Sequence, residues 1–140
     1  MLLTVGITAS AQEALDSRHT IVSPEIHDDN RVTFRLKTPD HVASVRVGSD
    51  CFSSGGADLK KNAEGIWEYT TPEPLPSELY SYFYVVDGMM MLDPSNVYIV
   101  RDVSTTMNIF IIGGGIGDLY KVNAVPHGTV SRVWYDSRCR

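Results

Sequence analysis

The stretch of sequence that decides the fold is Leu79–Asn96, LYSYFYVVDGMMMLDPSN. Its first part alternates residue by residue, so that the tyrosines share one face of a strand while Phe83 and Val85 share the other. Asp87-Gly88 then separates this strand from a second apolar run, and an Asp-Gly pair between two such runs is typical of a tight hairpin turn. Asp93-Pro94 marks a further turn at the end. The stretch therefore predicts a β-hairpin.

Alternation of apolar and polar residues recurs before the hairpin. Val32, Phe34 and Leu36 alternate with polar or charged residues. Trp67 and Tyr69 share one face of another short run. Further strands are accordingly predicted at Val32–Leu36, Val45–Val47, Ile66–Thr71 and Met107–Ile112. No window of about eleven residues has a helical period, and roughly six to eight short strands with frequent turn signals predict an all-β, immunoglobulin-like β-sandwich.

The polar and glycine-rich segments between these runs are predicted to be connections. Residues 12–30 show no sustained period and read as a linker, and Cys51–Asn62 reads as a long loop. Gly113–Gly117 is predicted to be a flexible joint that opens no helix. Val130–Tyr135 has a strand-like composition.

Length and charge limit the classes of function that are possible. The chain has 140 residues, of which 43% are hydrophobic and 21% are charged, as expected for one globular domain. Its formal net charge of -5 argues against a nucleic-acid partner, because binding phosphates requires clustered lysine and arginine side chains. An anionic membrane surface is disfavoured for the same reason.

The N-terminal residues have the pattern of a secretory signal. A short apolar run precedes Ala9 and Ala11, which occupy the positions that signal peptidase reads, so residues 1–11 are predicted to be the remnant of a signal peptide and Gln12 the first mature residue. No basic residue precedes the apolar run, and a frayed apolar N-terminus is the alternative. The first interpretation predicts a secreted or periplasmic protein that has no membrane contact after cleavage.

No pattern in the sequence predicts catalysis, metal binding or a cofactor. The chain lacks a Gly-x-Ser-x-Gly motif, and its four histidines have no metal-ligand spacing. The aspartates of the predicted turns stand beside Asn, Gly or Pro, where Asp is used for local hydrogen bonds to the backbone. Cys51 and Cys139 are predicted to be free thiols.

Short motifs over Arg31–Ile112 follow one another in a characteristic order. They are Val32-Thr33-Phe34-Arg35-Leu36 with Pro39, Val45-Arg46-Val47-Gly48, Glu64-Gly65-Ile66-Trp67, Leu79-Tyr80-Ser81-Tyr82-Phe83, Val86-Asp87-Gly88 and Asp93-Pro94. In this order they resemble the early-set immunoglobulin-like domain that precedes many α-glucan-acting enzymes, the glycoside hydrolase family 13 N-terminal domain or carbohydrate-binding module family 48. The resemblance implies an early-set sandwich.

Motifs at the edges of this region point to a narrower group. They are Ser23-Pro24-Glu25-Ile26-His27, Leu92-Asp93-Pro94-Ser95-Asn96, and Val125-Pro126-His127-Gly128-Thr129-Val130-Ser131 with Trp134-Tyr135. They resemble the N-terminal module and junction of bacterial secreted esterases of the feruloyl esterase and esterase D type. In such enzymes an α/β-hydrolase domain follows. The resemblance implies an immunoglobulin-like domain at residues 31–113 and a junction at residues 114–140 toward that catalytic esterase domain.

The family resemblance and the loop aromatics together suggest a carbohydrate-binding surface. Glucan-binding members carry tryptophans in the loop after the second strand and just past the Asp-Gly turn, and an asparagine near the last strand; the matching positions here hold Phe52, Met90 and Asn108. Tyr98 is added as a second aromatic residue in a loop. The replaced tryptophans argue against an α-glucan, and the resemblance to esterases that act on the decorations of plant cell-wall xylan implies xylan as the polysaccharide, or simple packing against the catalytic domain.

These observations predict a non-catalytic accessory module of a secreted carbohydrate-active esterase, which binds polysaccharide or orients the catalytic domain. Two alternatives stay open. The chain is itself a hydrolase of O-glycosyl compounds, or it is a purely structural module whose exposed apolar surface is covered by a partner.

Overall fold

The computed structural model describes residues 21–126 and 128–135, within which the chain forms ten strands and one short 3-10 helix. The strands are β1 (Glu25–Ile26), β2 (Val32–Lys37), β3 (Val45–Ser49), β4 (Gly56–Asp58), β5 (Lys60–Lys61), β6 (Ile66–Thr70), β7 (Leu79–Val86), β8 (Met89–Met91), β9 (Ile99–Arg101) and β10 (Thr106–Ile111). The 3-10 helix spans Ile116–Tyr120.

The strands form two antiparallel sheets that pack face to face. The first is four-stranded with the order β1-β2-β6-β5, and the second is six-stranded with the order β4-β3-β7-β10-β9. β8 pairs with the part of β7 that β10 does not reach. The predicted all-β, immunoglobulin-like β-sandwich is confirmed.

The predicted hairpin is formed by β7 and β8. Val86 pairs with Met89, so only Asp87 and Gly88 lie in the turn. Both have positive φ, 47° and 87°, as a type I′ turn requires. The Asp87 carboxylate accepts hydrogen bonds from the backbone N–H groups of Ser44 at 2.8 Å and Ala43 at 3.1 Å, and these bonds lower its pKa. They attach the turn to the start of β3.

The core is aromatic because the inward faces of both sheets carry large rings. Tyr82 and Tyr84 of β7 are fully buried, as the alternation predicts. The Phe34 ring of β2 lies 5.2 Å from that of Tyr82, between ring centroids, and Tyr80 stacks on Phe110 of β10 at 5.4 Å. Such pairs stabilise by about 0.5–1.5 kcal/mol each beyond the area that they bury.

A buried carboxylate at the end of the hairpin connects the two sheets. Asp93 is 2% exposed, and its Oδ2 accepts a hydrogen bond from the Tyr82 hydroxyl at 2.9 Å. The Tyr84 hydroxyl lies 3.4 Å from the same oxygen and 2.9 Å from the hydroxyl of Ser23. Ser23 in turn accepts a hydrogen bond from the backbone N–H of Arg35 in β2. The network therefore runs from the six-stranded sheet into the four-stranded one.

Residues predicted to lie in connections contribute three strands. β1 lies within the predicted linker at residues 12–30, and pairs with β2 through Glu25 and Thr33; residues 12–20 lie outside the described residues. Cys51–Asn62 was predicted to be one loop, but it contains β4 and β5. These strands have two or three residues and lie at sheet edges. They are too short, and too little buried on one face, to show the alternation of apolar and polar residues from which strands were predicted.

Two predictions toward the C-terminus are wrong. Gly113–Gly117 leads into the 3-10 helix, in which Gly117 lies so close to the end of β10 that a Cβ atom would be 2.1 Å from the carbonyl oxygen of Ile112. Val130–Tyr135 forms no strand and is exposed. A β-strand is stabilised by backbone hydrogen bonds to a neighbouring strand, and a strand-like composition does not by itself provide such a neighbour.

We expect Asp93→Ala to lower the free energy of unfolding by about 3 kcal/mol, because it leaves the buried Tyr82 hydroxyl and the backbone N–H of Ser95 without their acceptor. Urea denaturation followed by tryptophan fluorescence measures the change. Asp29→Ala is the matched control, because this carboxylate is exposed and, among the described residues, its hydrogen bonds go to neighbouring Arg31. Equal stability of the Asp93→Ala variant and the wild type would contradict the assigned role of the network.

Burial of Asp93 also predicts a pH dependence of stability. Desolvation raises the pKa of Asp93 in the folded chain above its ordinary 3.8. At a pH between 3.8 and the folded-state pKa, the folded chain therefore holds a proton that the unfolded chain has lost. The contribution of this group to stability is therefore full below pH 3.8 and is lost as the pH rises through the folded-state pKa. As the pH rises from 3.8 through the folded-state pKa, the stability of the wild type should fall relative to that of Asp93→Asn, which cannot titrate. A difference in free energy of unfolding between the two proteins that stays the same at every pH would refute this.

Candidate functional site

The four residues singled out in the sequence do not form one site. Phe52 lines a depression of about 280 Å³, Met90 a second of about 320 Å³ and Tyr98 a third of about 510 Å³. Asn108 lines none of these three depressions. The structure therefore distributes the candidates over separate parts of the surface.

Asn108 is a structural residue of the interior in this fold. It is 0% exposed, and its Oδ1 accepts a hydrogen bond from the backbone N–H of Asp93 at 2.7 Å. Its Nδ2 donates to the backbone carbonyl of Asn96 at 2.9 Å. The expectation of a ligand contact is thus corrected, because the side chain has no exposed atom and both of its polar ends are bonded to the loop that follows β8.

Phe52 lies in the loop after β3, where its ring closes one edge of the core. The ring centroid is 6.1 Å from that of Phe34 and 5.7 Å from that of Tyr69, with the Phe52 and Tyr69 planes at 80°. Ser53, Ser54 and Glu73 are exposed around the same depression. A half-buried aromatic ring flanked by hydroxyl and carboxylate groups is the combination that a sugar ring needs for stacking and for hydrogen bonds. We call this place the Phe52 depression.

Met90 is the middle residue of β8, whose three methionines are all exposed. It pairs with Val85 of β7 and lies beside Ser104, Thr105 and Thr106. Methionine offers a flexible apolar surface instead of a flat ring. The role of Met90 in binding stays a prediction. The residues that line its depression include no aromatic side chain.

Tyr98 lies in the largest of the three depressions, a groove along one side of the sandwich between β1, at the edge of one sheet, and the end of β10 in the other. We call it the open-side groove. Its walls are formed by residues 21–26, by the loop after β8 and by β10. Tyr98 is 70% exposed. The sequence-based reasoning found Tyr98 but missed the part of the wall formed by residues 21–26, because these were predicted to belong to a linker.

Two polar side chains of the open-side groove, those of Asn96 and Ser23, are occupied by bonds within the chain. Asn96 donates through Nδ2 to the Tyr82 hydroxyl and to the carbonyl of Ile109, both at 3.0 Å, and its Oδ1 accepts from the backbone N–H of Tyr98 at 2.9 Å. Ser23 is 4% exposed and is bonded as described above. What the groove offers a ligand is mainly apolar surface.

The outer face of the four-stranded sheet carries the best-organised charges. Arg35 donates to Glu68 of β6 and to Glu25 of β1, both at 2.6 Å. These bonds hold three neighbouring strands together, and the hydrogen bond from Arg35 lowers the pKa of Glu25. Both carboxylates thus form ion pairs with one guanidinium group. The lowered pKa of Glu25 favours its ionised form, so it is not suited to act as a general acid at neutral pH.

Metal and membrane sites were searched among the described residues. Within residues 21–126 and 128–135 no three His, Cys, Asp or Glu side chains are grouped so that they could hold a metal ion. Cys51 is a half-buried free thiol whose pKa is raised by burial, while Cys139 and His127 lie outside the described residues. No helix in the described part is long and apolar enough to cross a bilayer.

Comparison with known proteins connects the chain to carbohydrate-active enzymes. It is 31% identical over 71 residues to the endo-1,4-β-xylanase/feruloyl esterase of Xylanibacter ruminicola. The match covers 51% of this chain and 10% of that enzyme, so the chain spans about a tenth of the curated relative it matches. The chain is also similar to the pullulanase of Anoxybacillus sp. LM18-11, solved with maltotetraose and with maltotriose, at 19% identity and a TM-score of 0.44, over 76% of this chain and 15% of the pullulanase. No protein-family model matches the chain.

Stability measurements separate interior residues from surface residues at the candidate positions. We expect Asn108→Ala to lower the free energy of unfolding by about 2–3 kcal/mol, because it leaves buried backbone groups unpaired. Tyr98→Ala should change it by less than about 0.5 kcal/mol, because the ring is largely exposed. Thermal unfolding followed by circular dichroism compares the two variants. A stable Asn108→Ala variant would show that the amide is free to serve a ligand.

Proposed function

We propose that this domain is a non-catalytic accessory module of an exported carbohydrate-active esterase, where it binds xylan or orients the catalytic domain. The similarity over 71 residues to an endo-1,4-β-xylanase/feruloyl esterase carries this proposal. The small sandwich also suits an accessory role, because its strongest polar network, around Asp93, is buried and structural. The proposed location is periplasmic or extracellular, as the N-terminal signal pattern suggests.

The Phe52 depression is the proposed contact for the polysaccharide backbone. Phe52 presents a ring that is held in place by Phe34 and Tyr69, so little side-chain entropy is lost when a sugar stacks on it. Ser53, Ser54 and Glu73 are placed to meet hydroxyl groups at its rim. Xylan is proposed in preference to an α-glucan, because the tryptophans expected for glucan binding are replaced by Phe52 and Met90.

The segment after β10 supports a scaffold role toward a following esterase domain. Large apolar side chains stand exposed along it, and Trp134 is 87% exposed. Others are Ile116, Leu119, Tyr120, Val122, Val130, Val133 and Tyr135. Exposed apolar surface of this extent is typical of a region that another domain covers. We propose that the catalytic domain of the same polypeptide is that partner.

Calorimetric titration with soluble xylan and with glycogen tests the binding role. We expect binding to xylan, and about tenfold weaker binding by Phe52→Leu, which keeps an apolar side chain against the core but removes the flat ring. Val103→Ala is the control, at an exposed apolar residue that lines none of the three depressions, and should bind as the wild type does. Glycogen binding without xylan binding would reject the substrate preference, and no heat with either would leave the scaffold role alone.

An assay of the purified chain on aryl acetates and α-glucans tests the non-catalytic assignment. Turnover that persists through purification and is lost on unfolding the chain would establish the alternative, a hydrolase.

A further inference from the structure

The open-side groove has a composition that the binding of a bare polysaccharide does not explain. Its volume of about 510 Å³ is the largest of the three depressions. Val22, Ile26, Val97 and Tyr98 are exposed along it. A sugar chain presents free hydroxyl groups on every unit, and each hydroxyl that loses water without a new partner costs free energy.

The groove has few polar side-chain groups left for such hydroxyls. The amide of Asn96 makes three hydrogen bonds within the chain, which occupy both of its ends. The Ser23 hydroxyl is bonded to Tyr84 and to the backbone of Arg35. The other polar side chains that line the groove belong to Ser95, which is half-buried, and to Tyr98, which is 70% exposed. These features favour a flat, mainly apolar ligand with one or two polar atoms at its edge.

We infer that the open-side groove binds the feruloyl ester substituents of xylan, while the sugar backbone contacts the chain elsewhere. This inference rests on the proposed function, since it takes its ligand from an esterase of that class. A feruloyl group is a planar aromatic ring conjugated to a short acyl chain. It can stack on Tyr98 while Val22 and Ile26 contact its opposite face across the groove. Pockets of about 300–1,000 Å³ are usual for ligands of this size.

The position of the groove also suits a ligand that is attached to a polymer. It lies along one side of the sandwich, between β1 and the end of β10, and is open to solvent instead of enclosed. A substituent can therefore enter while the polysaccharide to which it is esterified remains outside. Binding there would hold a decorated segment of xylan near the esterase and leave an undecorated segment unbound.

Titration of the whole chain with methyl ferulate, followed by NMR chemical-shift changes, tests the inference. Methyl ferulate should bind, and Tyr98→Ala should weaken the binding about five- to tenfold. Tyr98→Phe keeps the ring and should retain most of the affinity. Phe52→Leu is the control in the other depression and should not affect methyl ferulate. Xylotriose at the same concentrations should leave the resonances of the open-side groove unchanged.

The outcomes separate this inference from the proposed function. Xylan binding that depends on Phe52, together with no binding of methyl ferulate or with binding that Tyr98→Ala leaves intact, would overturn the inference alone. Failure of both ligands would reject carbohydrate binding as well. A dimer in sedimentation velocity that Tyr98→Ala dissociates would show that a second copy of the chain occupies the groove, and would also overturn the inference.

Discussion

The fold depends on one buried carboxylate. Asp93 comes directly after the hairpin, and its oxygen atoms accept the hydroxyl of Tyr82 and the backbone N–H of Ser95. Burying a charged group is costly unless its hydrogen-bonding capacity is used, so the partners must be in place for the carboxylate to be tolerated. Through Tyr84 and Ser23 the same network reaches β2. One residue thereby fixes the end of the hairpin, the loop after it and the spacing of the two sheets.

This constraint also determines what the surface can offer. Asn96 and Asn108 are used to hold the loop after β8 in place, so their amides are withdrawn from any ligand. Tyr98 follows in the same loop and is directed away from the core. The apolar character of the open-side groove is thus a consequence of the internal network. The Phe52 depression, on another part of the sandwich, keeps exposed hydroxyl and carboxylate groups, so the two places suit different ligand chemistry.

The sequence predicted the main strands because their signal is local. Tyr80, Tyr82 and Tyr84 alternate with partly exposed residues, so the prediction that the tyrosines share one face of β7 is confirmed. The same method missed β1, β4 and β5, since strands of two or three residues at sheet edges are too short to show a period. For the candidate site it identified Phe52 and Tyr98 as aromatic residues in loops, but it grouped them with Asn108. The burial of Asn108 arises from contacts with residues 93 and 96, which its own neighbours in sequence do not reveal.

The sequence by itself determined that this chain is an all-β sandwich built around the hairpin at Leu79–Asn96, because alternation and turn chemistry act between residues that are close in the chain. Only the tertiary structure decided that residues 21–26 complete the groove beside Tyr98 and that the side chains of Ser23 and Asn96 there are already bonded. Both facts depend on pairing between distant segments, such as Ser23 with Tyr84, which are 61 residues apart. Which surface groups remain free for a ligand is settled only after all such pairs have formed.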